Sequence, residues 1–154
     1  MDIPDLLTPE SVVVPLHAVS KKETLSELAR RAAQITGLHE RQIFDVLLER
    51  ERLGTTGVGR GIAIPHGKLP GLTRLYGIFA RLEPAVDFEA VDEQPVDLVF
   101  LLLAPDTAGA DHLKALARVS RLLRDPKMCE KLRSLDGAAA IYKFLSGGAK
   151  THAA

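Results

Sequence analysis

The chain has 154 residues, 46% of them hydrophobic and 26% charged, a balance that excludes a disordered chain and predicts one packed core. Twenty basic residues match 20 acidic ones, so no net charge draws the chain to nucleic acid or to a membrane surface. A lone cysteine, Cys129, excludes a disulfide framework and a cysteine zinc site, and the absence of Trp argues against a base-stacking platform.

Val12–Val14 reads as an edge strand ended by Pro15. Ser20-Lys21-Lys22-Glu23 is a capping box. It opens a helix whose Leu25, Leu28, Ala29 and Ala32 fall at helical spacing and which Gly37 stops. A second helix runs from His39 to Arg52. A Gly-rich segment and a short strand, Ile62–Ile64, follow it. Leu75–Leu82 reads as a strand. So does Val96–Ala104, whose unbroken apolar character predicts burial on both faces. A helix covers Asp111–Arg124. Asp125-Pro126 is an N-cap with Pro at the first helical position, opening a short helix through Leu132. A last helix spans Gly137–Leu145. Residues 147–154 read as a frayed tail beyond a single domain of residues 1–146.

Helices alternate with strands, which predicts an α/β fold: a mixed β-sheet flanked by helices on both faces. The longest apolar run, Leu98–Ala104, is far short of the roughly 18 residues of a membrane span. The N-terminus lacks the basic start and apolar middle of a signal peptide, so the expected location is the cytoplasm, without membrane insertion.

The most informative segment is Gly61-Ile62-Ala63-Ile64-Pro65-His66-Gly67-Lys68. Pro65 stiffens the backbone just before His66, which falls at the expected strand end. Gly67 permits close approach of another molecule's backbone. A neutral histidine there is a nucleophile near neutral pH. From spacing alone it reads equally well as a loop histidine between two turn formers. Arg50 weighs on that choice. On the second helix, Ile43, Val46, Leu47 and Leu53 form an apolar stripe with Arg50 near its middle, while Arg41, Asp45, Glu49 and Arg52 lie opposite. A guanidinium on an inward face needs a partner, either a structural carboxylate or an anion such as phosphate. His112 likewise starts the inward row of Leu116, Val119 and Leu123, close to the free N–H groups of a helix start. It reads as an anion ligand or as a satisfied core histidine. His17 and His39 read as surface residues. Lys114, Arg118, Arg121, Arg124, Lys127, Lys131 and Arg133 read as a solvated basic face, and Cys129 as a small buried hydrophobe. The glycine-rich segment fits neither a P-loop nor GxGxxG, so no nucleotide site is expected.

The stretch from Arg50 through Gly54-Thr55-Thr56-Gly57-Val58-Gly59-Arg60 to Pro65-His66-Gly67-Lys68 resembles the IIA phosphocarrier components of the bacterial phosphotransferase system. Gln94-Pro95-Val96-Asp97-Leu98-Val99-Phe100 extends that resemblance. It runs from about Leu6 to Leu145 and points to the fructose/mannitol-type superfamily, most closely its nitrogen-related (Ntr) branch. It implies an α/β sandwich with a mixed sheet, and a phosphotransferase component in which His66 carries the phosphoryl group. Arg50 and His112 would flank that group. By imidazole chemistry, a neutral His112 can donate from one ring nitrogen while the protein holds the other. The implied partner is an HPr-like phosphocarrier, nitrogen-related HPr, with regulatory target proteins beyond it. No cofactor is implied beyond the transient phosphohistidine. Two alternatives stay in view: a sugar-specific IIA subunit serving a IIB partner, and a metal hydrolase built on His66 and His112. The second lacks an HxxxH or HxH pair.

Overall fold

The computed structural model describes residues 2–148. A short helix α1 (Ile3–Leu6) and a 3-10 turn (Pro9–Ser11) lead into β1 (Val12–Leu16). Then come α2 (Lys21–Thr36), α3 (Glu40–Arg52), β2 (Gly57–Gly59), β3 (Ile62–Ala63), β4 (His66–Leu69), β5 (Tyr76–Val86) and β6 (Val96–Pro105). The chain closes with α4 (Ala110–Arg124), α5 (Pro126–Ser134), α6 (Ala138–Lys143) and a π-helical turn (Phe144–Gly148). Gly147 and Gly148 thus belong to that turn and not to a tail, and residues 149–154 of the expected tail lie outside the described residues.

Helix ends follow local chemistry. Ser20 Oγ accepts from Glu23 N–H at 3.0 Å, and Gly37 closes α2 at φ +79. Only this half of the expected capping box forms; Glu23 itself is exposed to solvent. His39, exposed as expected, caps α3 by accepting from Arg41 N–H. Asp125 caps α5, with Pro126 at its first position. β1 does not stop at Pro15 but runs to Leu16, since an edge strand needs no donor on its open side.

Among the described residues the sheet has six strands in the order β1-β5-β6-β3-β2, with β4 also paired to β6. The sheet is mixed: β6 runs antiparallel to β5 and parallel to both β3 and β4. β6 is the central strand, buried from Leu98 to Ala104, and its two faces feed two cores. Leu98, Phe100 and Leu102 pack with α1, α4, α5 and α6. Val99, Leu101 and Leu103 pack with α2 and α3. Each fully buried aliphatic side chain is worth about 1.5–3 kcal/mol, so this run alone is a large part of the driving force. Cys129 is buried, its Sγ donating to Leu123 O at 3.1 Å. On the basic face Arg133 departs from a purely solvated role, since it grips Asp97 through Nε and Nη2.

Candidate functional site

β3 and β4 are two pieces of one path along β6. Ala63 pairs with Val99, and His66 pairs with Leu102 three residues on. Pro65 has no N–H, so the path breaks there. Ile64 N–H turns aside to Thr56 O at 3.0 Å, while Pro65 O accepts from Leu102 N–H. His66 therefore opens β4 and does not end a strand. By its register it shares the α4 face with Leu102, and it is half-buried. Its Nδ1 lies 2.9 Å from Ile64 O. A carbonyl only accepts, so the ring proton sits on Nδ1 and the lone pair on Nε2. Arg50 Nε donates to that Nε2 at 3.2 Å.

Arg50 comes from the last turn of α3, on the opposite face. Gly67 makes this possible. A Cβ there would stand 2.5 Å from Val46 Cγ1, so α3 packs directly against β4. The space at Gly67 is thus filled by this chain's own helix and not by another molecule. Arg50, one turn beyond Val46, reaches the sheet edge, where Nη1 donates to Gly54 O at 2.8 Å. The inward carboxylate of this helix end is Glu51, which accepts from Thr56 N–H and Thr56 Oγ1 at 2.7 Å each. Sequence periodicity misplaced Leu53, which is 80% exposed: the helix has ended there, and the chain turns at Leu53 and Gly54.

His112 lies in the first turn of α4, buried at 7% exposure. Its ring centroid is 5.6 Å from that of His66, at 50° between planes. The protein does not hold its second nitrogen. Nδ1 is buried with no hydrogen-bond partner among the described residues, so packing alone orients the ring. Burial pushes the pKa of both imidazoles down. For His66 the Ile64 carbonyl opposes this, Arg50 adds to it, and Glu51 opposes it more weakly. For His112 the positive charges of His66 and Lys68 push the same way as burial. The result is a pair of neutral rings at neutral pH beside a guanidinium. Such a site suits a nucleophilic nitrogen and an incoming anion. Among the described residues no three His, Cys, Asp or Glu side chains gather as a metal site.

Residues 5–147 match the family model for the EIIA 2 component of the phosphoenolpyruvate-dependent sugar phosphotransferase system. The chain belongs to that family. It is 60% identical over 146 residues to a nitrogen regulatory protein of Bradyrhizobium diazoefficiens, covering 95% of both chains. Its fold is similar to nitrogen regulatory protein IIA-Ntr of Neisseria meningitidis, with TM-score 0.87 and 32% identity over 93% of this chain and 98% of that one. It also matches IIA mannitol of Escherichia coli at TM-score 0.76 and 20% identity, covering 90% and 98%, a likeness of fold. Within this EIIA fold the structure gathers all three sequence candidates, His66, Arg50 and His112, at one place. Sequence reasoning missed Glu51, Thr56 and Lys21, which hold the loop beneath Arg50. The available signal was a carboxylate directly after Arg50, off the exposed face of α3. No helix among the described residues is long and apolar enough to cross a membrane.

Proposed function

We propose that this chain is a phosphocarrier of the nitrogen-related branch, accepting a phosphoryl group on His66 Nε2 from the phosphohistidine of an HPr-like carrier. The observation that carries the reading is the ring's hydrogen bonding: Nδ1–H is tied to Ile64 O, which leaves the Nε2 lone pair facing Arg50. The Nε2–P bond forms as the donor's N–P bond breaks, and the donor imidazole leaves with its electron pair. The proton stays on Nδ1 throughout, donated to the Ile64 carbonyl. The transition state is loose, so the protein's part is positioning and charge. Arg50 Nε, which caps Nε2 at rest, turns its donation to an equatorial oxygen. His112, neutral through burial, donates to another. The leaving group is itself a histidine, so the transfer calls for no metal or cofactor. Ile64 is buried, and Leu116 packs against the same core. Both limit water at the new phosphoramidate. Similarity to nitrogen regulatory proteins supports a regulatory role.

The test uses labelled phosphoenolpyruvate, enzyme I and each candidate HPr-like carrier. The wild-type protein takes acid-labile, base-stable label, while His66→Ala folds and takes none. Full labelling of His66→Ala, or none of the wild type by any carrier, overturns the reading. Onward transfer to a IIB protein would mark the chain as a sugar-uptake subunit.

A further inference from the structure

One buried charge at this site has no part in the transfer as described. Glu51 follows Arg50 on α3, yet only 3% of its side chain is exposed. A buried carboxylate is costly unless both its oxygens are satisfied. Thr56 N–H donates to Oε1 and Thr56 Oγ1 donates to Oε2, each at 2.7 Å. Lys21 Nζ, from the first turn of α2, stands 3.0 Å from Oε1 and also approaches Glu89 at 3.4 Å. These contacts fasten the loop of residues 54–56 to the end of α3.

Two chains of hydrogen bonds lead from that loop to the two nitrogens of His66. Gly54 O accepts from Arg50 Nη1, and Arg50 Nε donates to Nε2. Thr56 O accepts from Ile64 N–H, and Ile64 O accepts from Nδ1–H. The same short loop therefore bears on where the ring keeps its proton and where the guanidinium stands. We infer that Glu51 is a positioning residue for phosphoryl transfer, setting the tautomer of His66 and the place of Arg50 through Thr56 and Gly54. It does not touch the phosphoryl group. A carboxylate suits this place because three donors converge on it and one of them, Lys21, is a cation. A carboxamide of the same size keeps one accepting oxygen for Thr56 N–H and Lys21, but it removes the charge that Lys21 pairs with and turns an NH2 group to Thr56 Oγ1, whose hydroxyl must then reverse and accept.

The inference rests on the phosphocarrier reading for its kinetics alone. The experiment compares wild type with Glu51→Gln, Thr56→Val and Lys21→Met. Nitrogen-15 NMR of His66 reports tautomer and titration midpoint, and single-turnover transfer reports rate constant and carrier affinity separately. In Glu51→Gln the His66 ring loses its Nδ1–H preference. Its midpoint falls, because the negative charge that opposes burial and Arg50 is gone, while the His112 ring still stands 5.6 Å away between centroids. The transfer rate constant drops roughly tenfold or more, and carrier affinity is unchanged because Glu51 is buried. Thr56→Val, which keeps the backbone bond to Oε1, and Lys21→Met shift the same readings less. A folded Glu51→Gln with wild-type tautomer, midpoint and rate overturns the inference. Should Glu51→Gln fail to fold, Thr56→Val decides on the same readings. If the wild type takes no label, the phosphocarrier reading falls, and the NMR readings still decide whether Glu51 positions the ring.

Discussion

Arg50→Lys separates charge from geometry at the site. Arg50 donates to two fixed points, His66 Nε2 at 3.2 Å and Gly54 O at 2.8 Å. Lysine keeps the charge, but one ammonium on a flexible stem cannot span both points in a rigid plane. In the proposed transfer the phosphoryl oxygens replace the Nε2 lone pair as acceptors, so the lost bond is one to a charged group. Such a bond is worth about 1.5–3 kcal/mol. That converts to roughly one to two decades in rate. Arg50→Ala removes the charge as well and should cost on the order of 10³ or more, the scale seen when an arginine is withdrawn from phosphoryl transfer. Stability should hardly change. Arg50 is half-buried, and its favourable charge at the helix end is worth about 0.3–1 kcal/mol, which lysine keeps. The assay is rapid-quench transfer from the phosphorylated carrier in a single turnover, with circular dichroism to confirm folding. A folded Arg50→Ala transferring within twofold of wild type would refute the reasoning.

His112→Ala should still take label at His66, but roughly one to two decades more slowly in both directions, as expected for one lost hydrogen bond to a charged group; label mapped to His112 in the wild type contradicts this role. Gly67→Ala should destabilise by about 1–3 kcal/mol, because its Cβ would overlap Val46 Cγ1 at 2.5 Å and lift α3 from β4. Urea titration measures it, and adding Val46→Ala should restore most of the loss; no rescue would place the strain elsewhere. Burial holds His66 and His112 below the ordinary imidazole value of about 6.5. The unfolded chain therefore binds protons first as the medium acidifies. Their contribution to stability is complete above the unfolded pKa and is lost as pH falls through the folded values. Replacing both histidines by Asn should flatten the fall of the urea midpoint below about pH 6.5, and an unaltered slope counts against it.

Local chemistry alone determined several features of this protein. The side chain of Ser20 and the glycine at position 37 mark both ends of α2 without reference to the rest of the chain. The unbroken run Leu98–Ala104 reads as a strand covered on both faces, and it became the centre of the sheet. The helical period was enough to set Arg50 and His112 among inward-facing residues, where an anion ligand was one of two readings before any contact was known. The short strands β2 and β4 were not legible, because three or four residues are too few to show a period. They are strands only through pairing with β3 and β6. The orphaned Nδ1 of His112 and the burial of Glu51 were equally hidden. Each depends on what stands opposite, and Lys21 reaches Glu51 from 30 residues away in sequence. The meeting of Arg50 with His66 is of the same kind. It needs the register of β4 on β6, the missing Cβ of Gly67 and the turn at Gly54 together. A sequence pattern reports which face a residue takes within its own element. Only the packing of elements decides which faces meet, because that choice is made by the whole core at once and not by any one segment.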